Sequence, residues 1–135
     1  MNYVRFFLGL LCAVPALVLG HAGCHKAPGE HAAPHGGLLE HNEHILVELV
    51  DTQNPMEIYV LDGNLNPIPA AKAKVKATLE LPPRSRATGE VRLEDRGSFH
   101  AAYVTTKGRV HRYTLVVEVT DADGDVSTVN FQVEP

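Results

Sequence analysis

The sequence is short of cysteine and has no cluster of basic residues. It has two cysteines in 135 residues, and its formal net charge is −4. Cys12 lies in an apolar N-terminal stretch that we expect to be removed, which leaves Cys24 alone. A lone cysteine forms no internal disulfide, so packing, or packing with the help of a metal, must hold the fold together. A mildly acidic chain without clustered Lys and Arg also argues against a nucleic-acid partner.

The sequence also lacks the motifs on which catalysis usually depends. There is no Gly-x-Ser-x-Gly elbow, no His-Glu-x-x-His pair, and no Cys–His pair once the N-terminal stretch is gone. Methionine clusters are absent, because Met56 is the one methionine left after cleavage. A length of 135 residues excludes a multidomain enzyme and a polytopic membrane protein. We therefore predict that the protein is not an enzyme.

Residues 1–23 have the pattern of a secretory signal peptide. The apolar run at residues 6–19 is too short for a comfortable membrane span. Small residues precede Cys24 as in a bacterial lipobox, although His21 occupies the position where lipoproteins usually have Leu. We predict that Cys24 carries a lipid and anchors the chain on the periplasmic side of a bacterial membrane. The alternative is cleavage after Ala22, which would release an unacylated protein into the periplasm.

The rest of the chain divides into a tether and a β-rich domain. Residues 24–35 are rich in Ala, Pro, Gly and His, which predicts a flexible tether. Between residues 36 and 135, apolar and polar residues alternate with period 2, and Asp-Gly and Lys-Gly pairs separate the runs. We predict that residues 36–135 form an immunoglobulin-like antiparallel β-sandwich of seven or eight strands. A small barrel is the alternative.

Histidine is the chemically informative residue in this sequence. Six of the eight histidines lie between positions 21 and 44, and neutral imidazole is a good ligand for Zn, Cu and Co. We interpret His25 and His31 as polar residues of the tether, because nothing fixes their geometry. His100 and His111 lie at strand borders and are interpreted as structural.

His35, His41 and His44 have a better context for metal binding. A hairpin with Asn42-Glu43 as a two-residue turn would place His41 opposite His44, with Cβ atoms about 5 Å apart. That separation suits two imidazoles on one ion, since metal–nitrogen distances are about 2 Å. Glu48 would share the strand face of His44 but lie roughly 13 Å along it, so it would need a partner from a neighbouring strand.

A pair of glycines follows His35 directly. Paired glycines allow the backbone to turn with positive φ or to pass close to another strand. The expected role of Gly36 and Gly37 is therefore conformational.

The N-terminal part of the domain resembles a known module. The run Pro34-His35-Gly36-Gly37, an apolar strand containing Glu48, and Tyr59-Val60-Leu61-Asp62 before a turn are its features. They are similar to the N-terminal module of periplasmic adaptor subunits of heavy-metal efflux systems of the resistance-nodulation-division type, and to stand-alone secreted relatives of it. The similarity covers residues 34–67. The chain is too short to be an adaptor itself.

The resemblance implies a periplasmic β-sandwich linked to the handling of Cu, Zn or Co, with His35 and Glu48 at the matching positions. Together with the hairpin argument it predicts a metal site on His35, His41, His44 and Glu48. The partners expected are the membrane, through the lipid, and a metal-efflux or other envelope protein. The alternative function is a non-catalytic protein-interaction module of the envelope without a specific metal site.

Overall fold

The alternation of apolar and polar residues produces strands throughout the domain. The structure is a computed structural model that describes residues 32–51 and 54–135. The predicted signal peptide, the predicted lipid-bearing Cys24 and the tether up to residue 31 lie outside the described residues. Eight strands are formed, namely β1 (Leu38–His41), β2 (Leu46–Val50), β3 (Met56–Leu61), β4 (Lys74–Glu80), β5 (Thr88–Asp95), β6 (His100–Lys107), β7 (Tyr113–Thr120) and β8 (Val126–Val133), with a 3₁₀ turn at Ala70–Lys72.

The strands assemble into two antiparallel sheets. The five-stranded sheet has the order β1-β2-β3-β6-β5, and the three-stranded sheet has the order β4-β7-β8. The described residues contain no α-helix. The prediction of an all-β antiparallel sandwich with seven or eight strands is thus confirmed. None of the described residues forms a helix long and apolar enough to cross a membrane.

The main core lies between the two sheets. Every strand except β1 contributes alternate residues to this core, as the pleat requires. Val47 and Leu49 of β2 pack with residues of β7 and β8, such as Leu115 and Phe131, and all four are at most 1% exposed. Every buried residue of this core lies at position 45 or later, so a chain beginning at residue 25 contains the whole core.

A second, smaller apolar cluster lies on the outer face of the five-stranded sheet. Val50, Tyr59 and Leu61 are buried there, with partly buried side chains packed against them. The register pairs Glu48 with Leu39 on one side and with Tyr59 on the other. Residues directly opposite in an antiparallel pair share a face, so Glu48 lies within this outer cluster.

The hairpin between β1 and β2 differs from the predicted one. His41 pairs with Leu46 rather than with His44, and Asn42 N–H donates to the carbonyl of Ile45 over 3.1 Å. The turn residues are therefore Glu43 and His44. The Asn42 side-chain oxygen accepts hydrogen bonds from the backbone N–H groups of both His44 and Ile45, and this Asx turn moves the loop by one residue. The predicted placement of His41 opposite His44 is wrong for this reason.

His100, at the start of β6, is expected to make the stability of the fold depend on pH. It is 8% exposed, and its Nε2 has no hydrogen-bond partner among the residues described. Burial lowers the pKa of His100, and the Asp95 charge and a hydrogen bond with the Ala73 backbone oppose this in part. A histidine with a lowered folded-state pKa takes up its proton more readily in the unfolded chain. Its contribution therefore destabilises the fold as the pH falls below about 6.5.

We expect the free energy of unfolding of residues 25–135 to fall between pH 7.5 and pH 5.0, and to fall less in His100→Leu. Denaturant midpoints at the two pH values measure this. The exposed His111 provides the matched control. The free energy of unfolding of His111→Gln should fall as much between the two pH values as that of the parent. An equal fall in His100→Leu and the parent would contradict this assignment.

Candidate functional site

The carboxylate of Glu48 is the unusual group of this fold. Glu48 projects from β2, a strand with neighbours on both sides, and is 0% exposed. A buried carboxylate without hydrogen bonds costs several kcal/mol or more, so it must find donors within the protein. The donors come from the segment that precedes β1, residues 33–37, which we call the N-terminal strap.

Three hydrogen bonds join the strap to Glu48. The backbone N–H groups of His35 and Gly37 donate to Oε1 over 2.8 Å and 2.9 Å. Nδ1 of His35 lies 2.8 Å from Oε2. Both carboxylate oxygens are thus used, and hydrogen bonds to an ionised acceptor are about twice as strong as neutral ones. The carboxylate therefore fixes both the backbone and the side chain of the strap.

The contact with Glu48 determines the tautomer of the His35 ring. An ionised carboxylate only accepts hydrogen bonds, so Nδ1 must carry the proton. In the neutral ring, Nε2 then keeps its lone pair. The His35 side chain is 32% exposed. This partial access to solvent is compatible with binding a ligand.

Tyr59 fixes the plane of the same ring. The His35 and Tyr59 rings stack with centroids 3.7 Å apart and an interplanar angle of 6°. Phe99 supports Tyr59 in turn, with a centroid distance of 5.3 Å. The Tyr59 hydroxyl donates to Glu57 Oε2 over 2.8 Å. The imidazole is therefore held by a hydrogen bond at its edge and by an aromatic ring on its face.

The Tyr59 hydroxyl stays protonated under ordinary conditions. Burial, followed by the hydrogen bond and the charge of Glu57 and then the charge of Glu48, raises the pKa of Tyr59 to about 12. An uncharged ring beside Glu48 avoids placing a second negative charge next to the buried carboxylate. Tyr59 is thus suited to positioning His35 and not to acid–base chemistry near neutral pH.

Gly36 and Gly37 make the strap geometrically possible. Gly36 has φ +80°, a left-handed conformation that side chains with a Cβ rarely adopt. A Cβ on Gly37 would overlap the carbonyl oxygen of Leu49. Gly36 adopts a positive φ, and Gly37 passes close to another strand. These are the two roles expected for paired glycines, and the expectation is confirmed.

The four predicted metal ligands do not come together as one set. His35 and Glu48 meet, but His35 lies in the strap before β1 and not on a neighbouring strand, where the partner of Glu48 was expected. His41 is two residues beyond Leu39 on β1 and shares the outer face. His44 lies in the turn with its side chain 75% exposed. Within residues 32–51 and 54–135, no group of three or more His, Cys, Asp or Glu is arranged to hold a metal ion.

Two features of the site were not predicted. The sequence motif that contains Tyr59 gives that residue no role, and it predicts Glu48 as a metal ligand, whereas both oxygens of Glu48 are bound to the strap. The alternation of β2 was the available signal, because it places Glu48 on the face opposite Val47 and Leu49. His35, the last residue of the predicted tether, also contacts the sandwich through these bonds.

No protein-family model, curated protein or solved structure matches this chain. The function is therefore inferred from the chemistry of the strap and its carboxylate.

We expect Glu48→Gln to lower the free energy of unfolding by about 1.5–3 kcal/mol, the usual value of a hydrogen bond to a charged group. The amide loses the charge, and its NH₂ group replaces one of the two oxygens that accept hydrogen bonds from the strap. Glu40→Gln, on the exposed face of β1, is the matched control and should change stability by less than about 0.5 kcal/mol. Denaturant unfolding of residues 25–135 measures both. Equal stability of the two variants would show that the strap does not depend on the carboxylate.

Proposed function

We propose that the protein binds a transition-metal cation, Cu, Zn or Co, in the bacterial periplasm, with Nε2 of His35 as the principal ligand. The supporting observation is the hydrogen bond between His35 Nδ1 and the buried Glu48 carboxylate. Metal-binding histidines commonly donate their second N–H to a carboxylate, which fixes the tautomer and increases the basicity of the ligating nitrogen. Stacking on Tyr59 adds a fixed ring plane.

In this proposal Glu48 positions the ligand and does not itself bind the ion. Its oxygens accept three hydrogen bonds, and exchanging any of them for a metal would release the strap. His41 is the second candidate ligand, since it emerges on the same face as the strap. The His35 ring lies at Glu48, which pairs with Leu39 of β1. His41 is the next side chain on that face of β1, about 7 Å beyond Leu39. His41 would therefore have to reorient to share an ion with His35. His44 is given no part in this site.

Two imidazoles make an incomplete site, since Zn sites in proteins are usually four-coordinate. The other ligands would be water or groups of a partner protein. An ion held by few protein ligands exchanges more easily than one in a closed site. The proposed role is accordingly to capture a cation and pass it on, which agrees with the resemblance to efflux modules.

We further propose that acylation of Cys24 holds the chain at the periplasmic side of a membrane, near an envelope partner that handles the same cation. The lipobox-like sequence before Cys24 supports this part of the proposal. Binding is favoured over catalysis because the reactive groups of the site are one oriented imidazole and a carboxylate whose oxygens are already in use.

One observation favours the alternative, a protein-interaction module without a specific metal. The hydrogen bonds of Glu48 are complete within the chain itself, so the strap has a structural reason to exist. On this reading the stacked His35 and Tyr59 fasten the N-terminus to the sandwich, and the domain presents a strand edge or a loop to a partner.

Calorimetric titration of residues 25–135 with Zn(II), Cu(II) and Cu(I) distinguishes the two functions. We expect saturable binding that weakens at lower pH, because protons compete with the metal for imidazole. His35→Ala should weaken it by about tenfold or more, in line with the loss of a metal-site residue. His44→Ala is the matched control and should bind like the parent, and circular dichroism should show that both variants stay folded.

Equal binding by His35→Ala and the parent would contradict the assignment of the ligand. Weak, unsaturable binding by the parent would contradict the metal function and favour the interaction module. A partner that co-purifies in the presence of EDTA would point the same way.

A further inference from the structure

The charges of the sandwich are divided unequally between its two ends. Two connections cross from one sheet to the other at the same end, residues 81–87 between β4 and β5 and residues 108–112 between β6 and β7. Neither connection contains Asp or Glu. With the last residue of β6 they carry five exposed cations, namely Arg84, Arg86, Lys107, Arg109 and Arg112. We call this surface the basic end.

The fold brings the two connections together although β5 and β6 separate them in the sequence. On one side, a Cβ on Gly108 would lie 3.3 Å from the Cα of Ala87. On the other side, Arg112 lines a cleft together with Pro82 and Pro83. The five cations therefore share one surface, which the sequence alone does not reveal as a basic cluster.

The cations of the basic end have no acidic partner within the part of the chain that the structure describes. Arg92 and Arg96 of the β5–β6 hairpin both form ion pairs with Glu94. The remaining ion pairs of residues 32–51 and 54–135 are those of two histidines, so none involves the basic end. Five exposed positive charges are thus left for an anion outside the chain.

The opposite end of the sandwich is acidic. Its connections, with the strand residues next to them, contain three cations and six acidic residues, namely Glu43, Asp62, Asp95, Asp121, Asp123 and Asp125. The same count at the basic end sets three acidic residues, Asp51, Glu80 and Glu134, against the five cations. Two of these three, Asp51 and Glu134, line a separate cleft. The net charge of −4 thus conceals a dipole along the strands.

We propose that the basic end contacts the anionic phospholipid headgroups of the membrane to which the chain is anchored. A planar negative surface attracts the basic end and repels the acidic end, so the contact sets the orientation of the sandwich. The strands then stand upright on the bilayer, and the outer sheet face that carries His35 stays open to the periplasm. This inference rests on the proposed acylation of Cys24 and is independent of the proposed metal site.

The length of the tether makes a membrane the available partner. The nine residues 24–32 span at most about 30 Å, which is roughly the length of an eight-residue strand such as β7. A lipid on Cys24 therefore keeps the sandwich within about its own length of the bilayer. Both ends can reach the headgroups at that distance, and their opposite charges decide which end does.

The composition of the two connections fits headgroups better than it fits nucleic acid. Proteins that bind single strands interleave their cations with aromatic side chains on which bases stack. Residues 81–87 and 108–112 contain no Phe, Tyr or Trp. Their larger apolar side chains, Leu81 and Val110, pack against the core, so the contact is electrostatic and lies at the headgroup layer.

A triple substitution tests the proposal in residues 25–135, which carry no lipid. Co-sedimentation measures binding to vesicles of phosphatidylcholine with and without phosphatidylglycerol. We expect the parent to bind the anionic vesicles, and to bind them less as salt is added. Arg84→Gln/Arg86→Gln/Arg109→Gln should weaken this binding about tenfold or more, since one Lys or Arg near an anionic surface contributes up to about fivefold.

The matched control is Lys72→Gln/Lys74→Gln/Lys76→Gln. It removes the same charge from exposed side chains, the nearest of which lies four residues, about 13 Å, along β4 from the basic end. That distance exceeds the Debye length of about 8 Å, so the control should bind like the parent.

Several results would overturn the proposal. They are a parent that does not bind the anionic vesicles or binds neutral ones equally, a control that weakens as much as the arginine variant, and tighter binding to duplex DNA than to vesicles. None of these assays uses a lipid on Cys24 or a metal, so their outcome is separate from that of the proposed function.

A dye on a single introduced cysteine gives a measurement that leaves all five cations in place. Pro83→Cys lies at the basic end and Ala122→Cys at the acidic end, and both positions are exposed. Residues 25–135 contain no other cysteine. Nitroxide-headgroup lipids in the anionic vesicles should quench the dye at position 83 more than the dye at position 122. Equal quenching, or more quenching at position 122, would overturn the proposed orientation.

Discussion

The hydrogen bonds between Glu48 and the N-terminal strap are the interaction on which the rest of the site depends. A carboxylate in the middle of a sheet face is costly to bury, and here that cost is offset by three N–H donors from one short segment. The same bonds determine where the strap lies, which nitrogen of His35 carries the proton, and which nitrogen is left to bind a ligand. Tyr59 and Phe99 then hold the ring that the carboxylate has oriented.

The sandwich provides the rigid support that this arrangement needs. β2 is paired on both sides, so the position of Glu48 is fixed by two ladders of hydrogen bonds. The core lies on the opposite face of the same strand, where Val47 and Leu49 are buried. Alternation along a single five-residue strand thus serves two purposes, because one face closes the core while the other presents the carboxylate to the strap.

Much of the fold could be predicted from the sequence, because period-2 alternation is a strong signal in β4, β7 and β8. That Glu48 and His44 do not share a site could also be predicted, since strand spacing separates them, but the partner of Glu48 comes from the strap and not from a neighbouring strand as expected. The hairpin could not, because the Asn42 side chain captures two backbone N–H groups and moves the turn by one residue. The stacking of His35 on Tyr59 depends on the register between β2 and β3 and on a folded strap. Neither of these is encoded in local spacing.

The tautomer of His35 tests the central claim most directly. Nitrogen-15 chemical shifts of the imidazole in labelled residues 25–135, recorded at a pH where the ring is neutral, report which nitrogen is protonated. We expect the proton on Nδ1, with Nε2 unprotonated, and a shift toward the usual mixture of tautomers in Glu48→Gln. A proton on Nε2 in the parent, or a tautomer that does not change in Glu48→Gln, would contradict it.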